Sequence, residues 1–334
     1  MTIDPSRREN LLKAKLRGLV RSRWASALTT ARDGGLPGGA ALLAGDTAWA
    51  LGEDEPGRSL GPALAWARKN GASQLHLLVA ADAGTLARRA GRFSMPTTVW
   101  QIVGTELAEV DPEPLPPEPP LAEGADAFRG LLERAGTDPV VEHGILRGEI
   151  LGLEVARIVD DEHGVHLEVG VGKHDREAHK EARGTSQGLD ALFEVVRTVA
   201  EYRRPGKEGH EAFHLAPERW LRTVVMHKPE LVDAEPGSLE PVSSPVFRSD
   251  LRRPAPAPLR GTTTAGRPLL VVCSVGLDLD VMSGTADAYE ADGREPELVL
   301  CIPASDAYPA IRDLAALHVP PARVVTVPSD WRSL

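Results

Sequence analysis

Short apolar runs alternate with amphipathic stretches at both ends of the chain. Leu12, Leu16, Leu19 and Val20 recur at helical spacing inside a basic stretch, Arg7 to Arg23. That spacing predicts an amphipathic helix, packed through its leucines and carrying Arg8, Lys15 and Arg23 on other faces. The pattern then reads strand, helix, strand, helix, strand over Ala40–Leu51, Leu60–Lys69, Gln74–Val79, Ala83–Phe93 and Thr97–Val103. The same order returns in Leu269–Cys273, Ala286–Ala291, Leu298–Ile302, Ala307–Leu317 and Val324–Val327. Apolar strands alternating with helices predict parallel β/α units whose sheet faces are both covered. The expected fold is therefore α/β, with Rossmann-like β/α units at both ends flanking a mixed α+β middle domain.

Two proline-rich stretches punctuate this pattern. Residues 111–123 (DPEPLPPEPPLAE) hold six prolines and four acids, the composition of an extended, semi-rigid spacer. Residues 234–268 hold seven prolines with Ser, Gly and Thr clusters and no apolar period. The expected division is a β/α domain at 1–110, a linker at 111–123, a mixed domain at 124–233, a second linker at 234–268 and a β/α domain at 269–334. Both linkers are expected to be exposed and poorly packed.

Charge adds little to a nucleic-acid reading. The chain has 334 residues and a net charge of −10. The three blocks carry about +4, −6 and −6 in chain order, so the concentrated basic stretch is the first helix alone. A solvated face on a packed helix explains it, with a phosphate-backbone contact as the alternative. No run of 18 apolar residues is present, and Met1-Thr2-Ile3-Asp4 opens no apolar leader, so neither a membrane span nor a secretory signal is expected. Two cysteines exclude a disulfide scaffold and fit a reducing cytoplasm. Cys273 and Cys301 each close an apolar strand and read as buried thiols. The six tryptophans are scattered and read as core anchors rather than a base-stacking platform.

Three stretches carry candidate chemistry. In the middle block a turn at Asp160–Gly164 joins two strands, placing Glu154 on the first and Glu168 on the second. Gly170 and Gly172 alternate after Glu168 and would bare that strand to an approaching group. Lys173, Asp175 and Arg176 follow, with Asp175 an N-cap or first-turn acid of the next helix. Two carboxylates on paired strands beside a lysine can hold Mg2+ or Mn2+ against a phosphate. Over about 25 residues the arrangement resembles the PD-(D/E)XK nuclease core. That resemblance implies metal ligation by Glu154 and Glu168 and catalysis by Glu154, Glu168, Lys173, Asp175 and Arg176. This sequence departs from the pattern in having Gly170 two residues after Glu168, Glu154 in place of Asp, and no preceding Pro. The other reading is a salt-bridge network of Glu154, Arg157, Glu168 and Arg176 across a hairpin.

The second stretch is His210-Glu211-Ala212-Phe213-His214, a match to HExxH. In zinc peptidases that motif lies on a helix, with both histidines as ligands and the Glu as general base. Here Pro205-Gly206 precedes it and Pro217 follows, leaving barely two turns, so zinc is not expected. The third stretch is Ser274, Gly276, Asp278 and Asp280, directly after an apolar strand. Ligands of parallel sheets sit at such strand ends, so these four are candidates to hold a nucleotide or other cofactor. The alternative is a turn in which Asp278 or Asp280 caps the next helix. The readings that remain are a metal-dependent phosphodiester hydrolase, a non-catalytic ligand- or partner-binding protein, and a zinc hydrolase. Nucleic acid or a nucleotide is the expected partner, and a membrane is not.

Overall fold

The computed structural model describes residues 4–178, 186–244 and 251–334, without the side chains of 173, 174, 178 and 186–188. In chain order the elements are α1 (Pro5–Trp24), β1 (Arg32–Leu36), β2 (Gly39–Ala44), β3 (Thr47–Gly52), α2 (Leu60–Lys69), β4 (Gln74–Val79), α3 (Ala83–Ala90), β5 (Thr97–Val103) and β6 (Glu106–Glu109). There follow α4 (Arg129–Arg134), β7 (Asp138–Glu142), β8 (Ile145–Ile150), β9 (Leu153–Asp161), β10 (Gly164–Val169), α5 (Gly172–Ala178), α6 (Ser186–Tyr202), α7 (Glu211–His214) and α8 (Pro217–His227). The chain closes with β11 (Glu240–Pro241), β12 (Ala257–Thr262), β13 (Pro268–Cys273), α9 (Val281–Asp292), β14 (Glu297–Pro303), α10 (Pro309–Leu317) and β15 (Arg323–Val327). The fold is mixed α/β, and among the described residues no helix is long and apolar enough to cross a membrane.

The chain divides into two units, the first formed by 1–115, 277–291 and 307–323. Its six-stranded sheet has the order β1-β2-β3-β4-β5-β6. β3, β4 and β5 are parallel, crossed over by α2 and α3, while β1, β2 and β6 are antiparallel additions. The segment Ala40–Leu51, expected as one strand, is the hairpin β2–β3, because Gly45 adopts φ +62° and turns the chain at Gly45-Asp46. On one face, Leu16, Leu19 and Val20 of α1 pack on Leu42, Trp49, Leu51 and Trp100. Three cations of α1 are committed to acids elsewhere in the unit: Lys15 to Glu53 at 2.7 Å, Arg17 to Asp33 at 2.8 Å, and Arg8 to Asp54. α9 and α10 also belong to this unit.

The second unit comprises 116–276, 292–306 and 324–334, so its boundary with the first falls inside the 111–123 spacer. It holds an antiparallel sheet, β10-β9-β8-β7, and a five-stranded sheet, β11-β12-β13-β14-β15. In both larger sheets the strands follow sequence order, unlike the 3-2-1-4-5-6 order of a doubly wound Rossmann sheet. The stretch 234–268, expected as an unpacked linker, instead supplies β11 and β12. Ala234, Leu239, Ala257 and Leu259 are buried against Leu269, Val271 and Val299. Proline content misled here because Pro258 faces Val272 from within β12, and apolar residues at 257 and 259 supply the inward positions. Trp220 and Trp331 anchor this core edge to face, 5.9 Å apart.

Candidate functional site

The antiparallel sheet of the second unit has two unlike faces. One carries Leu146, Ala156, Ile158, Leu167 and Val169, packed with Leu132 of α4 and Leu192 of α6. The other is charged. Glu142 of β7 and Arg147 and Glu149 of β8 stand on it at alternate positions, and Arg157 is opposite Arg147. Glu168 is opposite Arg157 in turn. Glu154, three residues before Arg157, would fall on the apolar face of a regular strand. A one-residue shift at Gly148/Glu149 leaves Val155 unopposed and pairs Glu154 with Glu149. This bulge turns Glu154 onto the charged face.

Four glutamates there each meet guanidinium. Glu168 accepts from Arg157 Nε at 3.0 Å and Nη2 at 2.8 Å. Glu154 gives one oxygen to Arg147 and the other to Arg176 at 2.9 Å. From α8, Arg219 reaches Glu142 and Glu149, and Arg222 meets Glu149 at 2.6 Å. Glu142 and Glu149 are each only 1% exposed. Burial pushes the Glu142 carboxyl up, but Arg219, Arg222 and Arg147 outweigh it and hold the group down at about 2. The sequence-derived cluster is thus assembled, with its acids bound to arginine. Lys173 falls in α5, and its side chain lies outside the described residues. Asp175 is in the first turn of α5, and its Oδ2 accepts the Val171 N–H at 2.7 Å. Gly170 and Gly172 do not bare a strand. β10 ends at Val169, and both glycines take positive φ to turn the chain into α5. A Cβ on Gly170 would lie 2.8 Å from the Arg176 nitrogen. Glu142, Glu149, Arg219 and Arg222 were not foreseen. Their signal was Asp138 and Glu142 on one face of β7, Arg147 and Glu149 on one face of β8, and arginines three apart on α8.

The HExxH residues engage separate partners. His210 is the N-cap of the four-residue α7, with Nδ1 accepting from Ala212 N–H at 3.2 Å and its ring stacked on Tyr202 at 3.7 Å. His214 Nε2 lies 2.6 Å from the Glu208 carbonyl, to which it donates. Among the described residues no group of three or more His, Cys, Asp or Glu side chains is placed to hold a metal ion. Of the third candidate, Ser274 and Gly276 fall in the second unit, where Gly276 N–H donates to Asp306 at 2.6 Å. Asp278 and Asp280 fall in the first, where Asp278 pairs with Arg58 at 2.8 Å and Asp280 accepts the Gly61 N–H at 3.2 Å.

A pocket that the sequence reading missed lies beyond the C-terminal ends of α6 and α8 in the second unit. It has a volume of about 280 Å3 and is lined by Arg203, Arg204, His227, Lys228 and Arg332, with Leu151, Trp220 and Val224. Among the described residues no Asp or Glu side chain lines it, and Leu334 stands in the lining beside Arg332. Arg203 is 1% exposed and meets no carboxylate. Its Nη atoms donate to the carbonyls of Leu151, Ala212 and Leu215 at 2.5–2.8 Å. Burial pulls its guanidinium down to about 9. Arg203 and Arg332 both lie over the Trp220 ring, at 4.5 and 5.4 Å. Two helix C-termini contribute about −0.5 charge each, which offsets only part of four permanent cations. Glu208 and Asp306 act on Arg332 from outside the lining. The sequence signal was Arg203-Arg204 beside Lys207, set against a distant C-terminal arginine. No protein-family model, curated protein or solved structure matches this chain.

Proposed function

We propose that this protein is a binding protein for a small phosphate-bearing anion, held in the cationic pocket of the second unit. The observation that supports the reading is a concave site with five basic side chains and no acidic one in a chain of net charge −10. Such a pocket concentrates an anion, and its guanidinium and ammonium donors suit phosphate oxygens. Nucleotides belong to this ligand class through their phosphates. A metal-dependent phosphodiester hydrolase using Mg2+ or Mn2+ has less support, because Glu154 offers both oxygens to arginine and Glu168 is bound by Arg157.

Thermal shift with pyrophosphate and with a nucleoside triphosphate tests the reading. A ligand of the native state raises its stability by mass action. Both probes should raise the melting temperature, less at high salt. The double variant Arg204→Ala, Lys228→Ala should weaken binding about tenfold with the unliganded melting temperature unchanged, since both side chains reach solvent. Anion response that survives this variant would place the site elsewhere. Stabilisation by Mn2+ that is lost in Glu168→Gln would favour the hydrolase reading instead.

A further inference from the structure

In the first unit, a cleft of about 460 Å3 opens where β3 ends and α2 begins. Its polar lining is Glu53, Asp54, Glu55, Arg58, Asp278 and Asp280. Three cations answer these five acids: Lys15 on Glu53, Arg8 on Asp54, and Arg58 on Asp278 with Glu55 at 3.8 Å. Asp280 is the acid left without a cation. It is 5% exposed, and Oδ1 accepts the Gly61 N–H in the first turn of α2. Among the described residues Oδ2 meets no hydrogen-bond donor or ion-pair partner, although the residue lines the cleft. Gly61 permits this approach, since a Cβ there would stand 2.0 Å from the Leu279 carbonyl. Arg89 influences Asp280 at longer range, but its own Nε is held by Asp287 at 2.8 Å. Burial pushes the Asp280 carboxyl up to about 7, as expected of a carboxylate that lacks a cation.

With Asp280 ionised, the five carboxylates outnumber the three cations that pair with them, and Arg89 acts on Asp280 only at longer range. Among the described residues no three of these acids converge as a metal would need. Leu277, Pro37 and Pro62 give the same cleft an apolar wall. We propose that this cleft binds an organic dication of the flexible alkyl-diamine class, one ammonium on Asp280 and the second among Glu53, Asp54 and Glu55. The methylene chain between them would lie along the apolar wall.

The test uses the full chain with putrescine (1,4-diaminobutane) as probe, at pH 8 where Asp280 is ionised. Putrescine should raise the melting temperature in a saturable way, and a monoamine of equal length should do so more weakly. Asp280→Asn keeps an acceptor for Gly61 and removes the charge, and should weaken binding about tenfold or more. Glu162→Gln, an exposed acid of the second unit, should bind as the parent does. Should the Asn variant not fold, Glu53→Gln with Glu55→Gln must show the weakening. No response to putrescine, equal binding by the Asn variant, or a larger shift by Mg2+ that displaces the amine would each overturn the proposal.

Discussion

Asp280→Asn should make the protein more resistant to unfolding at pH 8 than at pH 4, relative to the parent. The carboxyl is buried beside Asp278, with one backbone N–H and no direct ion pair, and Arg89 and Arg58 offset its burial only in part. Its value rises from about 3.8 in an open chain to about 7 when folded. A shift of that size corresponds to ~4 kcal/mol of differential interaction. The folded state therefore holds this proton more tightly than the unfolded state. The contribution is complete below about pH 3.8 and is lost as pH rises through about 7. Asparagine cannot ionise, so the stability difference between variant and parent should grow in favour of the variant across that window. Urea unfolding of both proteins at steps from pH 4 to 8 measures it. Groups that titrate identically in the two proteins cancel in the difference. A difference curve that stays flat would show that Asp280 is already ionised at pH 4, and would refute the account of an uncompensated buried carboxylate. Adding putrescine at pH 8 should narrow the difference, because only the parent carries the charge it would bind.

Three further outcomes follow from the same reasoning. Glu149→Ala removes the acid between Arg219 and Arg222, stranding the buried Arg222 guanidinium and leaving Arg219 with Glu142 alone, which should cost about 3–5 kcal/mol in urea unfolding; a loss under about 1 kcal/mol would mean the network is not closed to water. Glu142 is held down at about 2, so its contribution is present above about 4.5 and lost as pH falls toward 2; acid unfolding of the parent should show this as about 3 kcal/mol, absent from a Glu142→Gln variant. Burial and the Arg23 charge lower His76, which accepts the Trp100 indole N–H at 3.1 Å and stacks on Trp24 at 4.8 Å; tryptophan fluorescence should change with a midpoint below pH 6.5, and His76→Phe should remove that transition.

Much of the fold was legible because two signals are local. Helical spacing of Leu16, Leu19 and Val20 set α1, and apolar runs between 268 and 327 set β13, α9, β14, α10 and β15 within a few residues. Strand order was not legible, since it depends on pairings between distant runs. Neither was β12, whose proline-laced sequence pairs with β13 through positions that composition does not distinguish from a spacer. A turn inside an unbroken apolar run, Gly45-Asp46, was likewise hidden by the residues around it.

The candidate sites show the same division more sharply. Glu154 and Glu168 were found because they are acids in apolar strands, yet their partners decide what they do. Arg147, Arg157 and Arg176 are near in sequence, and the salt-bridge reading had named the last two, but Arg219 and Arg222, which hold the neighbouring Glu142 and Glu149, come from a helix some seventy residues on, and a bulge at Val155 fixes which face Glu154 joins. A motif read along the chain contains no term for that helix or that bulge. Asp280 was named for its place after a strand, where a carboxylate is expected to cap a helix. Its distinguishing property is the Gly61 N–H it meets and the cation it lacks, and both depend on α2, some 220 positions away. Sequence therefore located charged groups well and assigned their chemistry poorly. Chemistry at a buried carboxylate is set by whether a guanidinium stands opposite it, and that is a property of the packing.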